Sequence, residues 1–290
     1  MNGRLSTTLL WAYFIFMVLF LFFPLAVLFL FAFNSGTSPT LPLQGFTTDW
    51  FTLAFSNSEL TGALARSAVI AVIASLTATS IGIMAALGLN SKYLPGRPLT
   101  ISTLLLPLVV PYVSLAVGLL ILLQALRVPH SLVAIVLGHA VIALPFSLLV
   151  ILPRLRSLDA SLNEAAGDLG ASGFAAFRLI TLPLLLPALV SSTVICFTTS
   201  FDEFAIASFL YPSGQPTYPV FLYSGARSPQ ILPQLIATGT LVIALTLVAV
   251  AVAEGGRRYG ERRLEGRVAS AHAENALTVS VNDDNIVAPV

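Results

Sequence analysis

The stretch Ser161-Leu162-Asn163-Glu164-Ala165-Ala166-Gly167-Asp168-Leu169-Gly170, continuing through Phe174 and Arg178 to Ile180-Thr181-Leu182-Pro183, is a charged, glycine-punctuated segment set between long apolar runs. Ser161-x-x-Glu164 has the form of a capping box, which starts a helix. Leu162, Ala165, Ala166 and Leu169 then recur at i, i+3, i+4 and i+7, one apolar stripe of a short helix. Glu164 and Asp168 are four apart and share a neighbouring face. Gly170 is placed to end that helix in the left-handed conformation. Ser172 is placed to cap a second helix carrying Phe174, Phe177 and Arg178, and Pro183 marks the entry to the next apolar run. The segment reads as helix–turn–helix. From periodicity alone Glu164 is equally well a cap of its own helix and Asp168 a solvated charge.

Composition decides what surrounds this loop. The chain of 290 residues is 57% hydrophobic and only 9% charged, with a mean hydropathy of +0.92. A soluble domain carries about a quarter charged residues, so the chain is an integral membrane protein. Its apolar runs are continuous and do not alternate with period two, which disfavours an outer-membrane barrel. About 20 apolar residues cross a bilayer as a helix. Six segments reach that length, at Leu9–Phe33, Leu64–Leu89, Thr100–Leu126, Leu132–Ile151, Leu184–Leu210 and Pro233–Ala253. The first run is longer than a signal peptide's apolar core and no small-residue cleavage site follows it, so it is expected to be a retained span.

Basic residues set the orientation. With the N-terminus inside, Arg4, Lys92, Arg97, Arg154, Arg156, Arg178, Arg257, Arg258, Arg262, Arg263 and Arg267 are cytoplasmic, and only Arg66, Arg127 and Arg227 lie outside. That is a strong positive-inside bias and puts both termini in the cytoplasm. The outer segment Asn34–Ala63 contains Thr48-Asp49-Trp50-Phe51, whose aromatic pair suits a short interfacial helix. The polar tail after about Leu264 lacks periodicity and is expected to be disordered.

The spacing Glu-Ala-Ala, three residues, Gly, nine residues, Ile-x-Leu-Pro resembles, without a gap, the signature loop of binding-protein-dependent ABC importer permeases. The positions are Glu164, Ala165, Ala166, Gly170, Ile180, Leu182 and Pro183, just before the penultimate span. The resemblance covers about residues 5–260. It implies an all-α membrane protein of six transmembrane helices in a bacterial inner membrane, with a permease domain over 1–263 and a cytoplasmic tail over 264–290. The loop, at about 154–183, would be a coupling helix entering a groove on a cytoplasmic ATPase present in two copies. A second permease, identical or homologous, and an external solute-binding protein would complete the assembly. The chain has no Gly-x-x-x-x-Gly-Lys-[Ser/Thr] phosphate loop and a single lysine, Lys92. ATP and its magnesium are therefore expected on the partner, and the chain is expected to be a transport subunit and not an enzyme.

A second polar cluster, Ser200-Phe201-Asp202-Glu203-Phe204, falls late in the fifth apolar run. Placing an aspartate at the centre of a lipid-facing helix costs roughly 2.5–3.5 kcal/mol, so two adjacent acids face a partner or water. Two readings stand side by side: a cation-attracting site, or an outer salt bridge with Arg127 or Arg227. The segment resembles that of the spermidine/putrescine permease subgroup, although iron and phosphonate permeases have related segments. Polyamines are polycations that suit carboxylates with aromatic neighbours through charge pairing and cation–π contact. Phe201, Phe204, Tyr112 and His139 are the further candidates for the substrate path. His139, mid-span, is read first as a hydrogen-bonding group between helices.

Pro107, Pro111 and Pro145 free backbone carbonyls and favour bends. Cys196 reads as a small buried hydrophobe. One cysteine and three scattered histidines give no metal-ligand spacing, and no nucleophile–base set or nucleic-acid-binding pattern is present. An ion-driven secondary transporter would leave the loop signature without a purpose.

Overall fold

The computed structural model describes residues 3–91, 94–159, 161–248, 250–252 and 255. Lys92, the basic residues from Arg257 onward and the tail expected over 264–290 lie outside the described residues. The fold is helical: α1 (Gly3–Ala32), α2 (Asp49–Ser56), α3 (Ser58–Asn90), α4 (Arg97–Leu105), α5 (Tyr112–Ala125), α6 (Leu132–Arg156), α7 (Ser161–Asp168), α8 (Gly173–Ala176), α9 (Leu182–Phe201), α10 (Ala205–Leu210), α11 (Tyr218–Gly225) and α12 (Leu232–Val252). Among the described residues the extended pairing is a single bridge between Asn34 and Phe46.

Five helices are long and apolar enough to cross a membrane, at Thr7–Ala32, Ser58–Asn90, Leu132–Arg156, Gly173–Phe201 and Leu232–Val252. The third expected span, Thr100–Leu126, is not one helix. Arg97–Leu108 and Tyr112–Ala125 meet at 100°. The cause is local: Pro111 has no N–H to continue a helix, and it pushes the residue before it out of helical geometry. Pro111 itself is extended, at φ −56° and ψ 132°. Pro107 sits in the first turn of the 3₁₀ segment Leu106–Leu108, where a proline is tolerated. The fifth span also departs from expectation. It ends at Phe201 and does not run on to Leu210, and α10 follows as a separate short helix.

The core is a three-helix packing of α3, α6 and α9 built from small residues. Along α3 the buried positions include Ala74, Ala78, Gly82 and Ala86, and along α9 Ala188, Ser192, Cys196 and Ser200, each series stepping by four. Small side chains at i, i+4 let backbones approach, which is how apolar helices gain contact where lipid competes for every other surface. A Cβ on Gly82 would collide with Ser147 Oγ and meet its Cβ at 2.8 Å, so only glycine fits there without a shift.

Hydroxyls and the thiol pin the same interface. The Thr79 and Ser192 hydroxyls are 3.4 Å apart, Thr193 donates to Thr79 at 3.2 Å, and the buried Cys196 thiol donates to the Ala143 carbonyl at 3.4 Å. Each such bond contributes about 0.6 kcal/mol in a membrane. In contrast, the most apolar part of α1 buries nothing against the rest of the chain.

At the end of the bundle opposite α7, short helices close the fold. Asn57 caps α3 by accepting from the Glu59 and Leu60 N–H groups. The interfacial helix expected around Trp50 is α2, and Trp50 Nε1 donates to the Asn34 carbonyl at 2.8 Å. Arg66 Nε donates to the Pro216 carbonyl at 2.9 Å, and Tyr218 N donates to Ser67 Oγ at 2.8 Å. These two bonds seat α11 on α3.

Candidate functional site

The two charged segments singled out in the sequence lie one at each end of α9. At the loop end, Ser161 is already helical, so the expected capping box is not the start of α7. Instead the Asp159 carboxylate accepts from the Ser161 N–H at 2.9 Å. That bond, with help from the Ser161 hydroxyl, holds the Asp159 carboxyl below the usual carboxylate range. The far end of α7 closes as expected. Gly170 has φ +81°, its N–H donates to the Gly167 carbonyl at 2.9 Å, and the Ala171 N–H donates to the Ala166 carbonyl at 2.9 Å. This is a Schellman ending, which requires the left-handed residue that glycine supplies at no steric cost.

Ser172 then caps α8 by accepting from the Ala175 N–H at 3.2 Å. A π-turn over Phe177–Thr181 leads into α9, with Pro183 in its first turn. Ile180 and Leu182 are partly buried there, and Thr181 donates to Asn163 Oδ1 at 3.4 Å, tying α7 back to the start of α9.

The apolar stripe of α7 does not face the chain's own core. Ala166 is buried, while Leu162, Glu164, Ala165, Asp168 and Leu169 are exposed. Leu169 is 90% exposed and Phe174 73%. The loop thus turns apolar groups outward beside its charged ones, although the C-terminal end of α7 is closed by backbone bonds.

At the other end, the two adjacent acids part company. Asp202 follows the last turn of α9, is exposed, and has no ion-pair partner among the described residues. Glu203 is 5% exposed and its carboxylate is used up inside the chain. It accepts from the Ile206 N–H at 3.0 and 2.9 Å and from the Ala207 N–H at 3.1 Å, which satisfies the first turn of α10. Its Oε2 lies 3.2 Å from His139 Nε2. His139, 1% exposed, contacts Ser200 Oγ through Nδ1 at 2.8 Å. The partner of the buried acid is thus His139 on α6, and neither Arg127 nor Arg227 takes that place. Arg227 instead lies over the Tyr223 ring at 5.9 Å.

The aromatic candidates divide in the same way. Phe201 stacks between Phe197 at 5.8 Å and Tyr218 at 6.1 Å, and Phe204 packs on Tyr223 at 4.9 Å. Tyr112, the first residue of α5, packs against the cluster that holds Ile206, Ala207 and Leu210. Sequence reasoning placed Asp202, Glu203 and the aromatics together and left out Ser200 and Gly138. A Cβ on Gly138 would meet Ile206 Cγ2 at 2.7 Å and Leu119 Cδ2 at 2.9 Å. The small residue preceding His139 was the available signal for this close approach.

Membrane-crossing helices around a small-residue core, a closed loop at one end and a broken helix carrying acids at the other define a polytopic membrane protein of the transporter type. Residues 78–265 match the model of the binding-protein-dependent transport system inner membrane component. The chain belongs to that family. It is 32% identical over 231 residues to the spermidine/putrescine transport system permease protein PotC of Escherichia coli K12, covering 80% of this chain and 87% of that protein. It is 32% identical over 234 residues to the putrescine transport system permease protein PotI of the same strain, covering 77% and 82%. Its fold is that of a chain in the crystal structure of a bacterial ABC transporter for the import of alginate, with a TM-score of 0.68 at 15% identity over 87% of this chain and 96% of that one.

Proposed function

We propose that this chain is one membrane half of an ATP-driven importer that brings a small polycation of the polyamine class into the cytoplasm. In this reading the loop lies in the cytoplasm with both termini, consistent with Arg154 and Arg156 in the last turn of α6. Two copies of a separate ATPase, holding ATP and magnesium, engage the loop through Glu164, Ala165, Ala166, Asp168 and the turn at Gly170, while Ile180, Leu182 and Pro183 carry its movement into α9. A second permease subunit completes the path, and a solute-binding protein delivers the solute from outside. The observation that carries the ATPase docking is the uncovered face of α7: its polar and apolar groups find no cover within the described chain, although both its ends are fully bonded.

The substrate class is supported by the two polyamine permease relatives and by Asp202, an acid beside a membrane-spanning helix with no cation of its own. Phe201, Phe204 and Tyr112 are the further path residues in this reading. Glu203 and His139 belong to the wall of the path by position and not by contact. The test is uptake by the complete importer in proteoliposomes, using radiolabelled putrescine and spermidine. Uptake should require ATP inside the cytoplasmic compartment and the loaded binding protein on the opposite side. Asp202→Asn should lower it about tenfold, the size of one charge-assisted contact. Uptake without ATP, or an Asp202→Asn variant equal to wild type, would remove the driving and substrate-path readings respectively.

A further inference from the structure

The helices on either side of the loop, α6 and α9, are antiparallel and in register from end to end. At the loop end Ile151, Leu152 and Leu155 cluster with Leu185. At mid-height the Ala143 carbonyl accepts from Cys196. One turn further on, four residues along each helix, His139 meets Ser200. From His139 to Arg156 the rise is about 25 Å at 1.5 Å per residue. Any displacement of the loop therefore reaches the far end through a packed pair, and what it meets there is the break at Asp202.

That break has its own fastening. An acid buried in a membrane is costly unless every lone pair is used and a cation or donor lies beside it. Glu203 is held by groups from two elements: it accepts from the Ile206 and Ala207 N–H groups on α10, and its Oε2 lies 3.2 Å from His139 Nε2 on α6, a contact short of an aligned hydrogen bond. Gly138, beside His139, lets the Ile206 side chain come in to a distance that a methyl group would forbid. The same carboxylate thus starts α10 and fixes α10 to α6, and His139 through Ser200 fixes α6 to the last turn of α9. Asp202 lies in the short link between these fixed points and has no free length to relax.

We propose that His139, Ser200 and Glu203 are positioning residues: a latch that joins α6, α9 and α10 and holds Asp202 where movement of the loop is delivered. The inference rests on the transport function above, and it assigns Glu203 a role distinct from touching the solute. Loss of the latch leaves the ATPase able to turn over while the far end no longer follows it.

The experiment uses the complete importer in proteoliposomes and reads putrescine imported per ATP hydrolysed, per assembled complex. Glu203→Ala and His139→Phe should lower that ratio about tenfold, the equivalent of about 1.4 kcal/mol of lost coupling, with ATP hydrolysis kept within about twofold. Glu203→Gln keeps acceptors for the Ile206 and Ala207 N–H groups and should restore most of the ratio. Gly138→Ala leaves every polar group in place, yet should lower the ratio by wedging α10 away.

A second readout needs no substrate. Spin labels at Val133 and Ser213, both exposed, should give one narrow distance distribution in wild type and a broadened one in Glu203→Ala and Gly138→Ala, while buried Cys196 stays unlabelled. Unchanged import per ATP together with unchanged distances would overturn the latch. Reduced complex yield with wild-type import per complex would overturn it too, because the residues would then serve folding alone. If wild type imports neither putrescine nor spermidine, the substrate reading fails, and the spin-label distances still decide the latch.

Discussion

The loop at 157–181 and the break at 200–207 are built on the same plan, a helix that stops, a turn, and a short helix that starts, yet their acids have opposite fates. In the loop the bonds that close the helix ends join residues at most five apart, Asp159 with Ser161, Gly167 with Gly170, Ala166 with Ala171 and Ser172 with Ala175, and the bond from Thr181 to Asn163 ties α7 back to the start of α9. The charged groups Glu164 and Asp168 are left over, exposed. In the break, Glu203 is consumed by its own α10 and by a histidine on another helix. The difference separates two meanings of a charge in an apolar chain. Under the proposed function, the leftover charges on the locally closed surface of α7 serve a partner, while the buried charge of Glu203 joins elements of the fold.

The sharpest way to break this comparison is at Gly170. Proline is held near φ of about −65°, against the +81° found here, and it also lacks the N–H that Gly170 donates to Gly167. Gly170→Pro should therefore reduce ATP-driven uptake to the background of vesicles lacking ATP, with the chain still inserted and the spin-label distances at the far end unaltered. Glu164→Ala should lower uptake less, because it removes one contact and keeps the turn. Normal uptake in both variants would mean the loop surface has no partner to lose.

A smaller effect is expected in the core around Gly82. Gly82→Leu places carbon where Ser147 now sits, and overpacking of this kind costs about 1–3 kcal/mol. The yield of folded protein in a thermal aggregation assay should fall, and Ser147→Gly in the same chain should recover part of it. Uptake per assembled complex should stay near wild type. A variant that assembles normally but transports poorly would show that α3 and α6 slide past each other during the cycle, making the core part of the moving machinery.

How much was legible in the sequence follows the same division between local and distant causes. The C-terminal end of α7 and the start of α8 were readable from Gly170 and Ser172, because caps act within a few residues, while the start of α7 was misread as a capping box at Ser161 where Asp159 does the capping. The five unbroken spans were readable from apolar length alone, although their ends moved wherever a polar cap intervened, as Asn57 does at the start of α3. A bend at Pro111 was expected because that proline removes a donor, but length counting still gave one continuous span where the helix breaks by 100°. The stop at Phe201 had a weaker signal, two acids in an apolar run, and the identity of Glu203's partner had none. His139 is 64 positions away, and Arg127 and Arg227 were the more obvious cations. Only the packing of α6 on α9 brings the histidine there, and that packing is set by small residues whose spacing reads as ordinary apolar helix.

The smallest expected effect tests whether the loop's shape is as local as it looks. The Asp159 carboxyl is held below its usual range by the Ser161 N–H and hydroxyl, so the ionised form favours the closed start of α7. A group whose folded value is depressed adds stability that is fully present above its unfolded pKa, near about 4. That stability is lost as pH falls through the lower folded value. Between pH 7 and pH 5 the contribution should be constant, and only below about 4 should it fade. Asp159 is fully exposed to solvent, so the contribution is small. Asp159→Ala should speed exchange of the Ser161 and Leu162 amides about twofold relative to wild type at neutral pH, as loss of a solvated cap does, and leave uptake unchanged. A large loss of uptake in this variant would mean that Asp159 itself meets the partner, and the docking surface would then extend from α7 back to the end of α6.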